Sequence, residues 1–177
     1  MRLLQLWMLA LGLALASCSS KPTYRVDAAT YDAFWLWAGV PPQPGLKRAK
    51  TIYLLAGEVR RDSGRFISLR PGIPHLSVPE LWLVVRVDTL DWKADTSGEI
   101  LAEFNKWQAA GNRLAGVQID FDARTRHLDR YASFLRAFRA RLPQRTRLSV
   151  TGLLDWSANG DPAALQSLDL PPASGPG

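Results

Sequence analysis

The 177 residues carry 47% hydrophobic and 21% charged side chains and a net charge of +6, most of it from arginine. That balance is globular and excludes a disordered chain, and the length suffices for one domain with a real core. A single cysteine, Cys18, excludes an intrachain disulfide in any compartment.

The chain opens like an export signal. Arg2 gives a short positive start, and Leu3 to Ala16 is an uncharged apolar stretch too short to span a bilayer comfortably. It ends in Leu15-Ala16-Ser17-Cys18, which resembles the bacterial lipobox, where the cysteine becomes the lipid-modified first residue after cleavage. That resemblance implies a lipoprotein signal peptide over 1–17, a lipidated tether over 18–27 and lipidation at Cys18. An ordinary secretory signal with an incidental cysteine is the competing account. Several acyl chains, at about 0.8 kcal/mol per buried methylene, hold a protein firmly on a membrane. Ser19 and Ser20 follow the cysteine, and no Asp stands at the second position. Resemblance to sorted lipoproteins then implies a cell-envelope address on the outer membrane, facing the periplasm. Export removes nucleic acid as a partner of the basic surface. Anionic glycans, phospholipid headgroups or lipopolysaccharide fit that surface, and so does plain solvation.

Five short apolar runs follow: YDAFWLWAG (31–39), KTIYLLAGEV (50–59), ELWLVVRVDTLDW (80–92), GVQIDFDA (116–123) and RLSVTGLLDW (147–156). Runs this short and continuous suit strands buried on both faces of a helix-covered parallel sheet. Between the third and fourth, Ser97 can cap a helix over Gly98–Ala110 with Ile100, Phe104 and Trp107 on one stripe and Gly111-Asn112 as its stop. Between the fourth and fifth, a helix from about Thr125 to Leu142 carries Leu128, Tyr131, Leu135, Phe138 and Leu142 on its apolar stripe, and Pro143 follows. The earlier connections are irregular. Residues 40–49 hold three prolines and room for one helical turn, and 60–79, with Asp62-Ser63-Gly64, reads as a loop or small hairpin. The fold class expected is α/β, a partial or truncated (β/α) TIM-type barrel with about five parallel strands over 28–168.

In the fourth run, alternation puts Gln118, Asp120 and Asp122 on one face and Val117, Ile119 and Phe121 on the other. The polar set would line the inside of the sheet at its carboxyl end, where barrel enzymes keep their active sites. Two carboxyls about 7 Å apart along a strand suit an acid–base pair, although Asp122 also stands where a helix cap would. Glu58, Asp88, Asp91 and Asp155 close other runs, and Leu-Asp-Trp occurs at 90–92 and 154–156. Trp35, Trp37, Trp92 and Trp156 fit either a core or a ring of sugar platforms at the mouth. Arg86 shares a face with Asp88, and an internal ion pair is the simplest account of both. His75 and His127 stand alone, so no metal site and no cofactor is expected; no phosphate loop or serine elbow is present.

Taken together and in order, YDAFWLWAGV, IYLLAGEV, LWLVVRVDTLDW, GVQIDFDA and LSVTGLLDW resemble an uncharacterised proteobacterial family, the domain of unknown function numbered 3142, over about residues 31–168. Ala115 to Asp122 (AGVQIDFD) is also similar to the fourth-strand signature DGxDxDxE of family-18 glycoside hydrolases, the chitinase-like barrels. In that register Asp120 falls on the acid that orients the substrate's acetamido group and Asp122 on the catalytic proton donor. Ala115 and Gln118 replace the first two acids, and Asp122 is one methylene shorter than Glu. The resemblance thus implies at most a glycoside-hydrolase-like activity, with Asp122 as general acid and Asp120 as its electrostatic partner. Trp92, Trp156, Asp91, Asp155 and Glu58 are the expected substrate-binding residues.

The Pro/Gly-rich tail at 169–177 arrives where the rhythm calls for another strand, and a closed barrel takes about 250 residues. A truncated or frameshifted copy with open first and fifth strands is therefore expected. Three functions remain open: a lipid-anchored protein that hydrolyses or binds an envelope polysaccharide, a non-catalytic glycan-binding or structural lipoprotein, and an inactive fragment. Nothing in the residues speaks to oligomeric state.

Overall fold

The computed structural model describes residues 26–41, 43–160 and 163. The signal peptide, Cys18, the 169–177 tail and all of the tether before Val26 lie outside the described residues. Contacts divide the chain into one unit ending at Thr30 and another beginning at Tyr31. In the first, Asp27 organises a short 3-10 turn over Ala28–Thr30: its carboxylate accepts the Ala29 N–H at 2.8 Å and its carbonyl accepts the Thr30 N–H at 3.1 Å.

The second unit is built on one sheet. Its described strands are β1 (Ala33–Leu36), β2 (Thr51–Val59), β3 (Phe66–Ser68), β4 (Glu80–Val87), β5 (Leu114–Asp120) and β6 (Arg147–Val150). The order is β1-β2-β4-β5-β6, every pairing along that path is parallel, and β3 pairs antiparallel with β2. Helices α1 (Thr96–Ala109), α2 (Leu128–Arg139) and α3 (Leu154–Asn159) follow β4, β5 and β6. The sheet is not closed. This is the expected α/β architecture, a partial barrel, and all five apolar runs contribute a parallel strand.

Local chemistry explains the irregular half. Proline-rich 40–49 yields only a 3-10 turn, Pro44–Arg48, because each proline removes a helical donor. The Asp62-Ser63-Gly64 signal becomes a turn with Gly64 at φ 62°, which returns β3 along β2. Helix α1 begins at Thr96, two residues earlier than a Ser97 cap requires. The Thr96 hydroxyl donates to the Gly64 carbonyl at 2.7 Å and pins the first turn to the hairpin loop. At the other end Gly111 takes φ 85°, and the buried Asn112 amide ties the exit down. It donates to the Trp107 and Pro74 carbonyls and accepts the Leu76 N–H at 2.9 Å.

The two faces of the sheet differ. Leu54, Leu83, Val85, Val117 and Ile119 pack with the stripes of α1 and α2 in one continuous core. Ile100, Phe104 and Trp107, and on α2 Leu128, Tyr131, Leu135 and Phe138, are buried as their spacing implies. The opposite face carries no helix among the described residues, and its side chains lie in rows across the strands. The first row is aromatic: Trp35, Tyr53 and Trp82 stand in register, with ring centroids 6.0 Å apart at 19–20°. Arg147 of β6 reaches over the Trp82 ring at 4.8 Å. Gly116 lies between them in register, and a Cβ there would strike the Arg147 carbonyl and come within 2.7 Å of the Trp82 ring. The glycine is what lets the row continue.

Candidate functional site

The carboxyl end of the helix-free face holds the charged row. Glu58, Arg86 and Asp120 are in register across β2, β4 and β5. Arg86 Nη1 donates to Asp120 Oδ2 at 2.9 Å and Nη2 donates to Asp122 Oδ2 at 2.8 Å, so one guanidinium spans both carboxylates. Asp120 is 4% exposed, and Asp122, just past the strand, is open to solvent. The hydrogen bond to Asp120 first, then the Asp120 charge and the Asp122 contacts, raise the Arg86 pKa above the ordinary arginine value against the opposing effect of burial. Asp120 and Asp122 therefore share one side of the sheet, with Val117 and Ile119 on the other.

The expected Arg86–Asp88 ion pair is not formed. Cross-strand neighbours stand about 4.8 Å apart, whereas residues two apart on one strand are nearly 7 Å apart, so Arg86 turns to Asp120. One row below, Gln118 is buried and its Nε2 donates to the Thr151 hydroxyl at 3.0 Å.

Beside this cluster the loops after β2, β4 and β5 enclose an open cleft of about 320 Å³, lined among others by Asp88, Asp91, Asp122, Arg61, Arg124 and His127. Asp91 lies here, paired with Arg130 at 2.6 Å. Glu58 points from the same sheet face and comes within 3.9 Å of Arg60. Asp155 is in the first turn of α3, where it accepts hydrogen bonds from Thr125 and, at 2.7 Å, from Asn159. The Thr125 bond first, and then the Asn159 bond, hold its carboxyl below the usual aspartate value.

The two tryptophans of the Leu-Asp-Trp repeats are packed inward, Trp156 fully and Trp92 in part. Trp156 is buried: its Nε1 donates to the Ala123 carbonyl at 2.9 Å and its ring packs against Tyr131. Trp92 donates to the Thr89 carbonyl at 2.9 Å and meets Phe134 and Phe138 edge-on at 4.7 and 5.4 Å. An indole buries readily once its N–H finds a carbonyl; Trp92 finds one within its own loop and Trp156 finds one in the loop after β5. Trp35 and Trp37 are exposed, but on β1, three strands from Asp120 and so about 14 Å away across the sheet.

In the sequence Tyr131 stands out only on the apolar stripe of α2, and Arg70 has no evident role. Tyr131 Oη is buried with no hydrogen-bond partner among the described residues. Burial above all, and then the Asp120 charge, push its hydroxyl well above the usual tyrosine value. Arg70, after β3, donates to the carbonyls of Leu36, Trp37 and Leu55. It satisfies backbone where β1 ends and where β2 bulges between Leu55 and Gly57. Its half-burial lowers its pKa from the ordinary value. Among the described residues no three His, Cys, Asp or Glu side chains gather as metal ligands, and no helix is long and apolar enough to cross a membrane.

The profile of one family, described as Domain of unknown function (DUF3142), matches residues 79–169, just over half of the chain. The match runs from the start of β4 past α3 and contains Arg86, Asp120 and Asp122. No curated protein and no solved structure matches the chain.

Proposed function

The chain belongs to the DUF3142 family, and on that premise we propose that it is a lipid-anchored cell-envelope protein that binds a polysaccharide at the carboxyl end of its half-barrel without hydrolysing it. The observation that carries the reading is the Arg86 clamp beside the open cleft. One oxygen of each carboxylate accepts an N–H bond from Arg86. The guanidinium thereby fixes both side chains in place, which leaves the second oxygen of each as an acceptor for hydroxyl groups. Glu58, Gln118 and Thr151 add further polar groups to the same sheet face.

The likeness of AGVQIDFD to family-18 glycoside hydrolases supports a sugar ligand; the replaced acids at 115 and 118 weigh against turnover. The lipobox at 15–18 supports anchoring through Cys18, and Ser19-Ser20 supports the outer membrane, facing the periplasm.

The test incubates the mature protein with peptidoglycan and common exopolysaccharides beside Asp122→Asn and Arg86→Met. Retention on a glycan without new reducing ends, weakened in both variants, is the expected result. Release of reducing ends by the wild type that Asp122→Asn abolishes would replace binding with catalysis. Retention of none of the glycans would remove the sugar reading altogether. Incorporation of labelled fatty acid, lost in Cys18→Ser, checks the anchor separately.

A further inference from the structure

Among the described residues, Val26, Ile67 and Leu154 are large apolar side chains exposed singly, and the remaining exposed ones cluster in sequence. Tyr31, Trp35, Trp37 and Val40 all fall on the segment that contains β1, with Tyr31 56% and Trp37 52% exposed. Single exposed hydrophobics need no explanation, but a contiguous set marks an interaction surface. β1 is an outer strand of the sheet path, and Trp35 stacks inward on Tyr53 while about a third of it stays open to solvent. Trp35 and Trp37 lie 5.6 Å apart, tilted at 35°, and form one patch.

The sugar mouth does not account for the patch. It lies about 14 Å across the sheet from Asp120, with the aromatic row between them filled by Tyr53 and Trp82. Its ring types are those that concentrate at membrane–water interfaces, where an indole keeps its apolar body in the acyl boundary and its N–H among headgroups. The connection from β1 to β2 adds Lys47 and Arg48, both exposed and with no acidic partner among the described residues. Cations beside interfacial aromatics complement an anionic leaflet. Position in the chain agrees. Thirteen residues separate Cys18 from Tyr31, and at about 3.5 Å each they reach no farther than ~45 Å. A lipidated Cys18 therefore keeps this segment, of the whole domain, nearest along the chain to the bilayer.

We propose that the Tyr31–Val40 edge is a membrane-docking surface that lays the domain on an anionic phospholipid leaflet through Trp35 and Trp37. The inference rests on the anchored reading for its proximity and not on the glycan.

The mature protein is incorporated into phosphatidylcholine vesicles, with and without phosphatidylglycerol, whose acyl chains are brominated near the headgroup. Bromine quenches an indole only in contact. The wild type should be quenched and blue-shifted, more so with phosphatidylglycerol and less at high salt. Trp35→Ala/Trp37→Ala should lose most of the quenching, since Trp107 and Trp156 are buried. Trp37→Ala alone, which leaves the stack on Tyr53 intact, should lose part of it and guards against a misfolded double variant. Indoles left unquenched in the wild type, or equal quenching in both variants, would overturn the proposal. So would protection of the two indoles by a polysaccharide but not by vesicles, which would reassign them as sugar platforms. Mass spectrometry of the same sample reports acylation at Cys18. Quenching without acylation sinks the anchor alone, and acylation without quenching sinks the docking surface alone.

Discussion

Replacing Arg86 with methionine tests whether burial decides what the carboxylate clamp is worth. The Asp120 side chain is 6% exposed, the Asp122 side chain 57% and that of Arg86 37%. Removing one partner of a fully buried ion pair costs about 3–5 kcal/mol, because the remaining charge is stranded. Arg86 is more than a third exposed, so water reaches the vacated side of Asp120 and roughly halves that cost, to about 2 kcal/mol. The Asp122 arm, in solvent, adds at most ~0.5 kcal/mol. For a domain of this size the sum lowers the melting temperature by about 5–10 °C. Urea or thermal unfolding of Arg86→Met, Asp120→Asn, Asp122→Asn and the two double variants gives both coupling energies. The Arg86–Asp120 coupling should exceed the Arg86–Asp122 coupling at least about fourfold. Equal couplings, or a larger one to Asp122, would refute the argument that desolvation of Asp120 gives the clamp its strength.

Three more outcomes follow from the packing. Asn112→Ala removes three hydrogen bonds that close α1, two of them to Trp107 and Pro74 carbonyls. It should cost about 2–3 kcal/mol, read by chemical denaturation, with the β1 edge unchanged in fluorescence. Gly116→Ala drives a methyl into the Arg147 backbone and the Trp82 ring, and should cost at least ~1–3 kcal/mol as overpacking between β5 and β6; a neutral result would mean the strands are farther apart than described. Asp155 titrates below the ordinary 3.8 because Thr125 and Asn159 donate to its charged form. A depressed carboxyl contributes stability above its unfolded value and loses it as pH falls through the folded one, so the loss should fall below about pH 4. Carbon-detected NMR of Thr125→Val should show the Asp155 titration moving upward, toward 3.8.

Much of this fold was written in hydrophobic pattern. β2, β4 and β5 announce themselves as near-continuous apolar runs because both faces are filled, and the 3.6-residue stripes on α1 and α2 mark the residues that bury. The faces of β5 were equally legible, since alternation alone separates Asp120 from Ile119. What the pattern could not carry was register. Whether Arg86 meets Asp88 on its own strand or Asp120 on the next depends on how β4 and β5 align, and that is fixed by packing distant in sequence. The tryptophans failed differently. Trp37 and Trp156 look alike in a sequence, and only the carbonyl of Ala123 within reach of one indole decides that it goes inside. Arg70 was silent for a similar reason: its acceptors are backbone carbonyls on β1 and β2, which no side-chain motif records.

The aromatic row across β1, β2 and β4 makes strand alignment readable by light. Rings held 6.0 Å apart and nearly parallel, as Trp35, Tyr53 and Trp82 are, couple their electronic transitions and imprint a signed band in the near-ultraviolet circular dichroism. A one-residue slip of β1 would carry Trp35 to the opposite side of the sheet and erase the coupling with Tyr53, while the far-ultraviolet helix signal stayed as it was. The edge strand can thus be watched separately from the rest of the molecule, with no label attached.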